Sequence, residues 1–138
     1  EDPDQGLSAE GTAETERMAR MAKDYDVAVS QIRHSVKTRA RQTAEIFAGA
    51  LSPKEGLEEV SGIKPMDDVT AYAASIDPAE DMMLVGHLPF MERMTAFLIT
   101  GSIDKPVFKF QNSGIVCLDQ EPDTQAWVIL WALLPKIG

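Results

Sequence analysis

Leu84-Val85-Gly86-His87-Leu88-Pro89 takes an apolar run into a glycine, a histidine and a proline. Residues 82–85 read as a short buried strand, Gly86 permits a tight exit, and Pro89 has the fixed φ suited to the first position of a helix. His87 then stands at the carboxyl end of a strand, the edge at which open α/β sheets bind ligands. A strand-turn-helix junction also presents backbone N–H groups to an anion. A second segment, Ser35-Val36-Lys37-Thr38-Arg39-Ala40-Arg41-Gln42-Thr43-Ala44, has the same character and is rich in positive charge. Together the two suggest a phosphate site.

Working outward, Ser8 is a natural N-cap for a helix over 9–23, with Met18, Met21 and Ala22 on one face. A strand is expected near 30–34. A helix over 38–51 follows, with Ala40, Ala44, Phe47 and Leu51 at three- and four-residue spacing. Residues 58–61 suit a short strand, and Asp67-Asp68 favour a helix through Ser75. Beyond His87 a helix over 91–99 ends at Gly101. Val107, Phe108 and Phe110 suggest a strand, 114–119 another and 126–134 a third, the last two joined at Glu121-Pro122-Asp123. Early strands alternate with helices and late strands follow one another. The fold class expected is α/β, a mostly parallel sheet flanked by helices with antiparallel strands at the C-terminal side.

Composition limits the function. A chain of 138 residues is expected to form one domain. The net charge of −9 argues against nucleic-acid or anionic-membrane partners, and no apolar run is long enough to span a bilayer. Yet from Val27 to Ala44 no acidic residue occurs, while Arg33, Lys37, Arg39 and Arg41 do. Those cations form either an ordinary solvated surface or a local positive cleft that admits a phosphoryl group and disfavours long polyanions. The lone Cys117 reads as a small buried hydrophobe, from which a cytoplasmic location is expected. Ser35 reads first as a turn or capping residue and second as a phosphate contact. Arg41 points about 200° away from Arg39 on helical spacing and reads as a surface or ion-pair residue. Glu92 reads as a helix-start charge, and Asp67 and Asp68 read as helix initiators rather than metal ligands, since no histidine accompanies them. No metal or other cofactor is expected.

These segments resemble the histidine phosphatase superfamily, and within it the small bacterial phosphohistidine phosphatases of the SixA type. Gln5-Gly6-Leu7-Ser8-Ala9-Glu10-Gly11 resembles the family's entry to its first helix. Ser35 to Ala44 resembles its serine, three residues, Arg-Ala and Gln-Thr-Ala-Glu motif; Val85 to Pro89 resembles its second histidine motif; and Trp131 to Lys136 resembles its closing strand. The resemblance implies a three-layer, phosphoglycerate-mutase-like sandwich. It also implies metal-free phosphoryl transfer through a covalent phosphohistidine, with a phosphorylated protein as partner (a histidine-containing phosphotransfer domain or a phosphocarrier) or a small phosphate ester. Arg39 and His87 would be catalytic and phosphate-binding, with Ser35 nearby. The family's nucleophile lies in an Arg-His-Gly triplet that these 138 residues do not contain; Arg33-His34 is followed by Ser35. The expectation is that the first strand and its nucleophile precede Glu1, and that without them the chain would have unpaired sheet edges and low activity. A phosphate-recognising module without turnover is the alternative.

Overall fold

The computed structural model describes residues 5–137, and the chain divides into two compact units. Among the described residues the first comprises 5–61 and 80–86, the second 62–79 and 87–137. Together they give an α/β fold, with a three-stranded parallel sheet and its helices in one unit and an antiparallel pair with its helices in the other.

In the first unit, α1 (Ala9–Asp24) starts where the Ser8 hydroxyl accepts the Gly11 N–H at 2.9 Å. It buries Thr15, Met18, Ala19 and Ala22, the three- and four-residue stripe of an amphipathic helix. Thr15 is tolerated there because its hydroxyl donates to the Gly11 carbonyl one turn back. β1 (Gln31–His34) alternates, with Ile32 and His34 buried and Gln31 and Arg33 half-buried on the opposite side. α2 (Thr38–Leu51) buries Ala40, Ala44 and Phe47 and packs on α1 and on the sheet. β2 (Leu57–Glu59) and β3 (Met82–Val85) pair with β1 in parallel on either side, in the order β2-β1-β3. Parallel pairing sets the carboxyl ends of β1 and β3 side by side, and the Ser35 N–H donates to the Val85 carbonyl at 3.2 Å just past the last paired residues.

The second unit contains α3 (Val69–Ala73), α4 (Phe90–Thr100), β4 (Ile115–Gln120) and β5 (Trp127–Leu133). Its core is Ile63, Val69, Phe90, Met94 and Ala96, and the Tyr72 ring meets Phe90 edge-on at 6.3 Å. β4 and β5 form the expected hairpin, closed by the Glu121 N–H on the Ala126 carbonyl and the Gln125 N–H on the Glu121 carbonyl. A bulge at Leu130 interrupts its register, since Cys117 faces Trp131 while Leu118 faces Ile129. The extra residue swaps which face the following side chains occupy. Trp131 and Leu133 thereby share a face with Ile115 and Cys117, and Trp127 and Ile129 share the other with Leu118.

Three expectations need correction. Pro89 is the N-cap of α4, at φ −85° and ψ 2° after a cis Leu88-Pro89 bond, and the helix proper begins at Phe90. Residues 107–110 form no strand. The Phe108 and Phe110 rings stack edge-on at 5.6 Å, and the Phe110 N–H is taken by the Glu92 carboxylate at 3.1 Å instead of a ladder partner. Cys117 is half-buried, because no residue of the two-stranded β4 is fully covered. Among the described residues no helix is long and apolar enough to cross a membrane.

Candidate functional site

The carboxyl end of β1 turns through His34 and Ser35 into α2, and both side chains are committed locally. His34 is 5% exposed, and its Nδ1 lies 2.9 Å from the Ser35 carbonyl. A carbonyl can only accept, so Nδ1 carries the proton and the ring is held in that tautomer. The His34 carbonyl in turn accepts the Val60 N–H at 2.8 Å, tying the strand to the residue after β2. Ser35 is buried, and its hydroxyl accepts the Lys37 N–H at 3.3 Å, the two-residue turn geometry expected of serine before a helix.

α2 then begins without the usual devices. Its N-cap is Lys37, which makes no side-chain capping bond, and the first turn contains no acidic residue. The other three helices each have one or the other: Ser8 with Glu10 at α1, Asp68 at α3 and Glu92 at α4. The leading N–H groups of a helix have no partner within it and carry the positive end of its dipole. A helix start with neither cap nor carboxylate, flanked by Lys37 and with a half-buried Arg39 in its first turn, is suited to an anion. Arg39 adds a planar fork of donors matched to phosphate oxygens.

The other two cations of this stretch are used elsewhere. Arg33 donates through Nη2 to Glu80 at 2.8 Å and through Nε to Gln31 at 2.8 Å, with Glu58 at 3.5 Å. It cross-braces the sheet instead of enlarging a cleft. Arg41 pairs with Glu45 one turn on, at 3.6 Å on the exposed side. Local acidic-residue counts cannot reveal these partners, because Glu58 and Glu80 come from distant segments.

His87 begins the second stretch of the second unit, one residue after Gly86, and is half-buried. Its carbonyl accepts the Met91 N–H at 2.9 Å, so the residue is built into the entry of α4. Ser35 and Arg39 are thus brought to one strand-helix junction of the first unit, while His87 stands at the corresponding junction of the second.

Two polar residues have structural partners that sequence spacing does not disclose. Glu92 binds the Phe110 N–H, 18 residues away, besides occupying the first turn of α4. Gln42, within the basic segment, accepts the Leu7 N–H through Oε1 at 2.7 Å. Asp67 and Asp68 serve turns and helix starts, accepting N–H groups of Lys64 and Thr70. The Thr70 hydroxyl and N–H hold the Asp68 carboxyl below its ordinary range. Among the described residues no group of three or more His, Cys, Asp or Glu side chains is placed to hold a metal ion.

Comparison with solved structures gives the fold its relatives. The protein histidine phosphatase SixA complexed with tungstate superposes with a TM-score of 0.83 at 23% identity, over 98% of this chain and 87% of that one. A candidate phosphohistidine phosphatase SixA from Agrobacterium tumefaciens gives 0.77 at 27% identity, over 98% and 86%. A phosphoglycerate mutase from Plasmodium falciparum gives 0.56 at 14% identity, over 92% and 93%. No family model and no curated relative matches the sequence. All three share this chain's fold, and the 27%-identical neighbour is consistent with a phosphatase of the histidine phosphatase superfamily, SixA type.

Proposed function

We propose that this protein is a phosphohistidine phosphatase, removing the phosphoryl group from a phosphorylated histidine of a partner protein. The single observation that carries the reading is the start of α2, a helix N-terminus without carboxylates that presents Lys37 and Arg39 in a fold shared with SixA proteins. A phosphoryl group in transfer spreads negative charge over its equatorial oxygens, so fixed positive donors around it lower the barrier. In this reading the Arg39 guanidinium holds two of those oxygens and Ser35 shapes the turn between β1 and α2, and His87 is a second candidate for phosphate binding and catalysis.

The transfer itself is proposed to be covalent. A nucleophilic imidazole nitrogen attacks phosphorus, the N–P bond of the substrate breaks, and the departing imidazole takes up a proton; water then cleaves the enzyme's own N–P bond. An imidazole leaves with less help from an acid than an alcohol does, so the reading requires no strong general acid. His34 does not serve as this nucleophile, because it is buried with its Nδ1 spent on the Ser35 carbonyl. The proposed partner is a histidine-containing phosphotransfer domain or phosphocarrier in the cytoplasm. A net charge of −9 with a cationic helix start fits a compact phosphoryl group better than a long polyanion.

A second reading is phosphate recognition without turnover. The same assay separates the two. Phosphate release from a phosphohistidine-bearing protein should fall about 10²–10³-fold in Arg39→Ala and in His87→Ala. Variants as fast as the parent overturn the site. A parent that binds inorganic phosphate but releases none from the phosphoprotein supports the recognition module, and preferential turnover of small phosphate esters reassigns the substrate.

A further inference from the structure

The carboxamide of Gln42 lies against a stretch of backbone that has been shaped to receive it. The Leu7 N–H donates to Oε1 at 2.7 Å, and a methyl group placed on Gly6 would come within 2.9 Å of Oε1 and 3.0 Å of Nε2. Gly6 does not take the left-handed φ of Gly56 or Gly62, so close approach, not backbone freedom, is what its missing side chain serves. Gln42 follows Arg39 by three residues, which puts the two about 60° apart on the helix surface. Helical side chains lean toward the N-terminus, so the Gln42 carboxamide is carried back toward the turn on which Arg39 stands.

We propose that Gln42 is a positioning residue, a clasp that holds the 5–7 loop on the first turns of α2 and thereby strengthens the grip of Arg39 on a phosphoryl group. The inference rests on the phosphate reading of Arg39. Held in place, the loop limits water beside the guanidinium, and an ion pair gains strength as its surroundings lose water. Leu7 immediately precedes the Ser8 cap of α1, so a role confined to structure would tie α1 to α2 and register in stability alone.

Two substitutions open the clasp from opposite sides. Gln42→Met removes the acceptor while keeping the length of the side chain. Gly6→Ala leaves the acceptor but displaces it, at little cost to the fold because the obstructing atoms are the end of a flexible side chain. Titration of the full chain with inorganic phosphate, together with amide exchange at Leu7, reads the outcome. Each variant should lose Leu7 protection and bind phosphate about fivefold more weakly, and the double variant should be no weaker than either single one. Unprotected Leu7 with phosphate affinity unchanged overturns the proposal, as do fully additive losses. Arg39→Ala is the control: if it binds phosphate as the parent does, the phosphate reading itself fails, and the role of the clasp fails with it.

Discussion

The start of α2 in the first unit and the helix starts of the second are furnished in opposite ways. In the second, polar groups close their own structure: Asp68 caps α3, and Glu92 sits in the first turn of α4 and holds the Phe110 N–H. Its strand β5 is apolar on both faces, and a bulge distributes the large side chains between them. In the first, side chains at the strand ends fasten loops, with His34 on the Ser35 carbonyl, Ser35 on Lys37, Arg33 across to Glu58 and Glu80, and Gln42 on Leu7. At the start of α2, Lys37 makes no side-chain capping bond and the first turn holds no acidic residue. A helix start without a carboxylate, with Lys37 and Arg39 beside it, suits an anion.

The contrast can be broken most severely by emptying the core of the second unit. Phe90 is fully buried against Tyr72, and Phe90→Ala should cost about 3–5 kcal/mol in urea unfolding. Phosphate should still bind at temperatures where this variant stays folded, and loss of binding there would show that the second unit contributes more than His87. The next largest effect comes from making α2 resemble its counterparts. Lys37 already has the extended dihedrals of a capping residue, φ −74° and ψ 142°, so Lys37→Asp should cap the helix and add about 1 kcal/mol of stability. Its carboxylate would occupy the anion's place, and phosphate affinity should fall about tenfold. Stability and affinity rising together would refute the view that the bare start is kept for an anion.

Smaller effects sharpen the comparison. Arg33→Ala removes a bridge whose acidic partners are 53% and 42% exposed, and should cost no more than about 1 kcal/mol while leaving phosphate affinity unchanged. A large drop in affinity would return Arg33 to the phosphate site. At Asp68 the hydrogen bonds from Thr70 lower the folded-state pKa below its unfolded value. The stabilisation is therefore present above the unfolded value and is lost as pH falls through the folded one. Asp68→Asn should keep the cap and flatten that part of the acid limb of the stability curve, whereas an unchanged limb would assign it to other carboxylates.

Much of this architecture is legible because helices and strands repeat their burial locally. Ala40, Ala44 and Phe47 mark α2, and its span 38–51 is read from that spacing alone; β3 follows from an apolar run stopped by glycine. The order of strands and helices likewise gives the α/β class. Illegible features depend on partners far along the chain. The aromatic alternation at 107–110 looks like a strand until Glu92 takes the Phe110 N–H, and the basic window overstates the available charge until Glu58 and Glu80 arrive at Arg33. Pro89 is fit for two neighbouring helix-start positions, and spacing could not choose between them. At the candidate site the residue types were readable in Ser35, Arg39 and His87, but the missing cap of α2 and the Gln42 clasp needed coordinates.

The bulge at Leu130 has an optical consequence. Trp127 and Trp131 are the only two tryptophans in the chain, and the shifted register turns their indoles to opposite sides of the hairpin. Tryptophan emission therefore originates wholly in the second unit, one indole per face, and it reports on the hairpin rather than on the strands and helices around Arg39, which circular dichroism can follow.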